Sequence, residues 1–258
     1  MSDTEHPTGI ATLPMYTHAR LNAATNRYWQ LIHANLANAG IAAPATLTLS
    51  TERYSVWTDP RLVLSQTCGM PYRTRLRGRA KLVGTPDFGV EGCRPGYYCS
   101  VLVVRKDDQR ESIAAFRDAT LAYNGPDSQS GFAAPYAHTS AAGFWFENRV
   151  KSGVHLASAQ FVATGHADIA ALDAVTWRII EAYEDCAASL RVLERTSETP
   201  GLPYITAIDN DPEPIFDAIA AAIEQLPAAD RTALGLRGLV SIPESDYLAV
   251  PNPPDGML

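Results

Sequence analysis

Long apolar runs are missing from this chain. No stretch approaches the roughly 18 consecutive apolar residues that a membrane helix needs, so a membrane-embedded protein is not expected. The first ten residues, MSDTEHPTGI, lack a basic segment followed by an apolar core and do not read as a signal peptide. Taken with Met1 as the native start, the sequence places the protein in the cytoplasm; with a leader trimmed from it, in the periplasm. Positive charge is also short. Lys and Arg number 21 against 28 Asp and Glu, a net charge of −7, which disfavours a nucleic-acid surface because a polyanion would be repelled. There are only four cysteines, at 68, 93, 99 and 186, and none forms a CxxC pair. No metal site or cofactor is therefore expected. Two readings of the thiols stay open. All four are free, or Cys68 and Cys93, each in a glycine-containing turn (TCGMP and EGCRPG), pair in an oxidising compartment. Also absent are GxSxG, HExxH, a Walker loop and GxGxxG.

What remains is the composition of a globular protein. The 258 residues are 46% hydrophobic and 19% charged, enough for one large α/β domain or two lobes of roughly 100 to 150 residues. Short β-rich runs alternate with helical patterns. Ile10 to Met15, Thr46 to Leu49, Leu82 to Thr85, Tyr97 to Arg105, Thr120 to Tyr123, Asp168 to Leu172 and Tyr204 to Ala207 read as strands. Ala24, Tyr28, Ile32 and Leu36 recur every fourth residue on a helix that Gly40 stops. Asp59-Pro60 is expected to open a short helix, and Asp211 to cap one carrying Ile215, Ile219 and Ile223 on one stripe. Such alternation predicts an α/β fold with mostly parallel sheets and helices on both faces. Extended segments near Val101 and Arg195 break it, and suggest a middle lobe, 102–195, inserted into a lobe made of 1–101 and 196–258.

Three stretches carry candidate chemistry. In NGPDSQSGFAAP, a strand ending at Tyr123 runs into Asp127-Ser128-Gln129-Ser130-Gly131 and then a helix. Amides at a helix start have no internal partner and sit at the positive end of the dipole. Two hydroxyls and an amide side chain add donors, a combination that suits an oxyanion held by dipoles. The same residues also suit a plain helix cap by Asp127 or Ser128. Ser152-Gly153-Val154-His155 is a second turn into a helix, where His155 serves either as an anion donor or as a structural histidine. Asp173 ends an apolar strand and begins a helix, so it is either a cap or a reader of an amine or hydroxyl on a ligand. Tyr16, following the first strand, is a candidate wall. Tyr97-Tyr98 does not make an iron site without histidine or carboxylate ligands converging on it. A Ser130, His155, Asp173 set can be drawn, as it can from any chain this size.

In order and spacing, IATLPMY, LSQTCGMP, VGTPDF, GYYCSVLVVRKDD, LAYNGPDSQSG, SGVHLASAQFVATGHADIAALD and TPGLPYITA resemble the phosphate, phosphite and phosphonate-binding members of the type II periplasmic binding protein superfamily, over roughly residues 10 to 207. The resemblance implies two α/β lobes joined by crossing strands, with a ligand cleft between them. It implies that the family's Ser/Thr-rich anion site falls on Ser128, Gln129 and Ser130, its histidine on His155 and its acidic position on Asp173. It implies a first-lobe contribution from Tyr16 and the turn at Ser65, Gln66 and Thr67. Gln129 departs from the hydroxyl residue often found at that place. The implied function is a solute-binding protein that traps a small anionic ligand, phosphonate-like and in some members amino-bearing, with an ABC transporter permease as partner. The alternative is an enzyme on the same scaffold, as among menaquinone-pathway enzymes, acting on a small carboxylate or phosphorylated metabolite with His155 or Asp173 as acid or base. A regulatory binding module is the third reading.

Overall fold

The computed structural model describes residues 9–49 and 52–254. Contacts divide the chain into two compact units, one of Met1–Gly89 and Pro200–Tyr247, the other of Val90–Thr199 and Leu248–Leu258. The borders expected at 101/102 and 195/196 are displaced outward. The reason is pairing: strand Ser100–Arg105 lies antiparallel to Leu190–Arg195, with Val101 opposite Arg195, so both strands belong to one sheet of the middle unit. The last segment also joins that unit instead of the first.

The first unit holds a five-stranded sheet in the order Ile10–Ala11, Leu62–Gln66, Tyr204–Ala207, Ala80–Asp87, Gly238–Val240. Only its first pair is parallel. Helix Asn22–Asn38 buries Tyr28, Ile32 and Leu36 in the same core as Ile215, Ile219 and Ile223 of helix Pro212–Gln225. Asp211 caps the second helix by accepting from the Glu213 N–H. These two stripes have the four-residue spacing read from the sequence, which puts successive side chains on one face.

The second unit holds the order Arg149–Lys151, Leu121–Tyr123, Ile169–Asp173, Ser100–Arg105, Leu190–Arg195. The first two pairings are parallel and the other two antiparallel. Both sheets are therefore mixed, not mostly parallel as expected. Alternation of strand and helix reports the order of elements, not the direction of strands next to a crossing. Such strands enter their sheets without an intervening helix and run antiparallel. Two local expectations also fail. Thr46 to Leu49 is not a strand, though the Thr48 N–H still donates to the Ala11 carbonyl at 2.7 Å. Asp59-Pro60 does not open a helix; a short helix, Arg53–Trp57, ends just before it. Asp59 instead accepts from the Arg61 N–H and guanidinium, a local turn that competes with helix. The irregular tail is seen over 251–254, and its last four residues lie outside the described range.

Candidate functional site

The strand Leu121–Tyr123 delivers the chain to the helix start. Phe132 fixes it there: its ring is 1% exposed and makes tilted or edge contacts with Tyr123 and Trp145, centroids 5.3 and 5.4 Å away. Such aromatic anchoring contributes area burial plus about 0.5–1.5 kcal/mol per pair. A wide helical turn spans Gln129–Ala133 and continues as the α-helix Ala134–Ala141. Ser128 is the cap. Its Oγ accepts from the Gly131 N–H at 3.0 Å, and its carbonyl accepts from the Phe132 and Ala133 amides. The capping role that the sequence left open is thus filled by Ser128. Among the described residues, the Ser130 N–H has no backbone acceptor.

Ser128, Gln129 and Ser130 are all buried. Ser130 Oγ lies 3.0 Å from Nε2 of His155, which opens helix His155–Ala163. Two sequence stretches read separately therefore meet. The Ser130 carbonyl accepts from Ser100 Oγ at 2.9 Å. Ser100 in turn is held by Thr196 through two bonds, its N–H donating to Thr196 Oγ1 at 3.0 Å and its carbonyl accepting the Thr196 N–H at 2.9 Å. Directly opposite Ser100 in the antiparallel register is Asp173. Asp173 is 2% exposed and caps helix Ala174–Tyr183, its Oδ1 accepting from the Val175 and Thr176 N–H groups at 2.8 and 3.1 Å.

Burial pushes the pKa of His155 down to about 4, against the upward pull of the nearby Ala171 carbonyl. Nδ1 is buried without a hydrogen-bond partner of ordinary geometry. The ring is neutral at pH 7, so Nε2 either accepts from Ser130 or donates to it, depending on the tautomer. The folded value lies below the ordinary 6.5, so the unfolded chain binds the extra proton first. Stability is expected to be full above about pH 6.5 and to fall progressively as pH drops toward 4, by up to about 2–3 kcal/mol. Urea unfolding at pH 7 and at pH 4.5 checks this. In His155→Gln the loss between those two pH values should be smaller than in the wild type, and an equal loss would assign the acid sensitivity elsewhere.

The first unit places the other candidates on its own elements. Gln66 ends the Leu62–Gln66 strand, and its Nε2 donates to the Leu202 carbonyl at 3.1 Å. Thr67 follows, buried, with its N–H on the Pro203 carbonyl. Ser65 Oγ is shared by Thr12 Oγ1 at 2.7 Å and Trp57 Nε1 at 3.1 Å. Tyr16 has φ +59°, the one left-handed non-glycine backbone among the described residues, with its ring edge-on to Phe88 at 4.8 Å. A strained backbone at a bulky residue costs about 1–2 kcal/mol and is concentrated at functional positions.

Ser100, Thr196 and Asn124 escaped the sequence reading. The first two sit inside β-rich or turn segments with no local mark of a polar role. Asn124 Oδ1 is buried without a partner and points at Gly131; an asparagine after a strand reads as ordinary turn chemistry. The cysteines are all free, so the Cys68–Cys93 pairing is not formed; the two belong to different units. Tyr97 lies under the Arg94 guanidinium, 3.9 Å from its ring centroid. Among the described residues no group of three His, Cys, Asp or Glu could hold a metal ion, and no helix is long and apolar enough to cross a membrane.

Two such units with an inserted middle are the architecture of type II substrate-binding proteins. The chain is similar in structure to a binding-protein component of an ABC phosphonate transporter from Pseudomonas aeruginosa, with TM-score 0.68, 13% identity, and coverage of 93% of this chain and 83% of that one. It is similar to PhnD1 from Prochlorococcus marinus in complex with methylphosphonate, with TM-score 0.68, 14% identity, and coverage of 94% and 95%. A Xanthomonas citri protein bound to chloride ion gives TM-score 0.66 at 16% identity, covering 93% and 94%. At these identities the likeness shows the fold. No curated protein matches the chain in sequence. The model of the ABC transporter phosphonate periplasmic substrate-binding protein family matches residues 73–247, and the chain belongs to that family. It is a solute-binding protein of the phosphonate ABC-transporter type. Ser128, Gln129, Ser130, His155 and Asp173 lie within the matched residues; Tyr16, Gln66 and Thr67 lie before them.

Proposed function

We propose that Ser128, Gln129, Ser130 and His155 hold the oxyanion of a phosphonate or phosphate-like ligand, and that Asp173 binds an ammonium group at the ligand's far end. The observation that supports this best is the Ser130 hydroxyl, buried at a helix start and held 3.0 Å from a neutral His155. With the proton on Nε2, the imidazole donates to Ser130 Oγ and leaves the serine O–H to donate to the ligand. The helix dipole adds partial positive charge at the same place. The Ser100 bond to the Ser130 carbonyl fixes the backbone while the hydroxyl works. Tyr16, Gln66 and Thr67 are proposed ligand contacts from the first unit. The compartment that fits this role is the periplasm and the partner an ABC permease, in keeping with the family.

Calorimetry with methylphosphonate, phosphate and 2-aminoethylphosphonate tests the reading. Heat and saturation with at least one of the three are expected; silence with all three at millimolar ligand would sink it. For Asp173, the conservative Asp173→Asn keeps a capping side chain but removes the charge. Affinity for 2-aminoethylphosphonate should fall at least about tenfold, while that for methylphosphonate changes less than about twofold, because hydrogen bonds to charged groups contribute about 1.5–3 kcal/mol. Equal losses for both ligands would leave Asp173 only as a cap. The enzyme alternative is less well supported. A histidine with a pKa near 4 is a weak base at neutral pH, and Asp173 already accepts two amides. Mass spectrometry of ligand recovered after incubation separates binding from turnover.

A further inference from the structure

The wide turn that opens the helix at Ser130 leaves one of its carbonyls unserved. Two successive amides of this turn donate five residues back, the Ala133 N–H to the Ser128 carbonyl at 3.0 Å and the Ala134 N–H to the Gln129 carbonyl. The next carbonyl in that series belongs to Ser130, and its donor would be residue 135. Residue 135 is a proline, which has no N–H. Proline in the first turn of an ordinary helix removes nothing, because that amide is free in any case. Behind a wide turn it removes a donor. The carbonyl is served from outside the helix instead, by Ser100 Oγ at 2.9 Å. Both serines are buried, Ser100 at 1% and Ser130 at 3% exposure, so water does not reach the carbonyl in its place. The same peptide unit is held at its other end, where the Gly131 N–H donates to Ser128 Oγ at 3.0 Å. Ser100 itself begins an interior strand, paired with Ile169–Asp173 on one side and Leu190–Arg195 on the other. Its neighbour Cys99 accepts the Ala174 N–H at 3.1 Å, at the start of the helix that Asp173 caps.

We propose that Ser100 is a positioning residue for the anion site, and that Pro135 makes it one by withholding the donor the helix would otherwise supply. The inference rests on the reading of Ser130 as an anion donor. A carbonyl bonded within its own helix moves with that helix. The Ser130 carbonyl is tied to the sheet, and the Ser130–Gly131 peptide is pinned at both its oxygen and its nitrogen. Fixing that plane sets the direction of the Ser130 side chain, whose Oγ stands 3.0 Å from His155 Nε2. A ligand then meets a hydroxyl that is already aimed, and binding does not spend free energy on ordering it. Thr196 acts one step further back, since its Oγ1 and N–H hold the Ser100 backbone on both sides of the residue. With an N–H at position 135, the helix would serve the carbonyl by itself and the Ser100 hydroxyl would be dispensable.

A double-mutant cycle of the whole chain tests the pairing: wild type, Ser100→Ala, Pro135→Ala and the double variant, each titrated with methylphosphonate and 2-aminoethylphosphonate by calorimetry. In Ser100→Ala both affinities should fall by the same factor, about 3- to 10-fold, the range of one net hydrogen bond, because the change is at the anion end that the two ligands share. In the Pro135→Ala background the same substitution should cost less than about twofold, because the new N–H replaces the lost donor. Equal losses in the two backgrounds, or no loss in either, would overturn the proposal. A Ser100 that only supports the fold would lower stability in urea and leave affinity where it was. A second arm needs no ligand. The ring nitrogens of His155, assigned by their disappearance in His155→Gln, report its contact with Ser130. The Nε2 resonance should move in Ser100→Ala and return in the double variant; a resonance that stays put in Ser100→Ala would also overturn the proposal. If the wild type binds no phosphonate or phosphate, the anion-site reading fails by itself, and the nitrogen spectrum still decides whether Ser100 positions Ser130 against His155.

Discussion

A Ser130→Ala protein is expected to bind methylphosphonate about 10- to 100-fold more weakly than the wild type. The hydroxyl would give a charge-assisted hydrogen bond in a site shielded from water, and such bonds contribute about 1.5–3 kcal/mol. Its removal also leaves His155 Nε2 without the contact recorded at 3.0 Å, so stability should fall by only about 1 kcal/mol. Isothermal calorimetry reads the first and urea unfolding the second. Binding unchanged within about twofold would remove Ser130 from the anion site and leave the serine as a support for the histidine. A large stability loss with normal residual affinity would lead to the same conclusion.

Gly131→Ala should be among the most damaging small substitutions in the second unit. A Cβ at this position would stand 1.9 Å from Asn124 Oδ1, 3.0 Å from its Cγ and 3.2 Å from Ser128 Oγ. The added methyl collides at once with a buried amide and with the cap. Overpacking of this kind costs about 1–3 kcal/mol, and the displaced Ser128 would lose its bond from the Gly131 N–H, adding about 1 kcal/mol. The double variant Asn124→Ala, Gly131→Ala should recover most of the loss, because the shorter side chain clears the space. A double-mutant cycle in urea measures this coupling. Losses that simply add within about 0.5 kcal/mol would show that the clash with Asn124 is not what makes glycine necessary.

Much of the architecture could be read from residue order, and the reasons differ by element. The helices Asn22–Asn38 and Pro212–Gln225 announced themselves because their buried faces repeat at helical spacing and their ends carry Gly40 and Asp211. The run ending in Asp173 read as a buried strand because it is apolar, short and followed by a helix. Strand direction was not legible: nothing local in Ser100–Arg105 or Tyr204–Ala207 says that they run antiparallel to their neighbours. At the site, Ser128 and Asp173 were recognised as possible caps because capping is a local pattern. The meeting of Ser130 with His155 and the support from Ser100 and Thr196 depend on pairing across the sheet, which no spacing along the chain records. The family resemblance supplied the grouping that local chemistry could not.

The central strand of the first unit, Tyr204–Ala207, lies between Leu62–Gln66 and Ala80–Asp87, yet it comes late in the chain. During synthesis the early strands emerge with a gap between them that only this latecomer fills. The sheet of the middle unit, all of it within Val90–Thr199, has every strand at hand before that gap can close. Translation therefore favours an order in which the inserted unit assembles first and the surrounding unit waits for its own keystone.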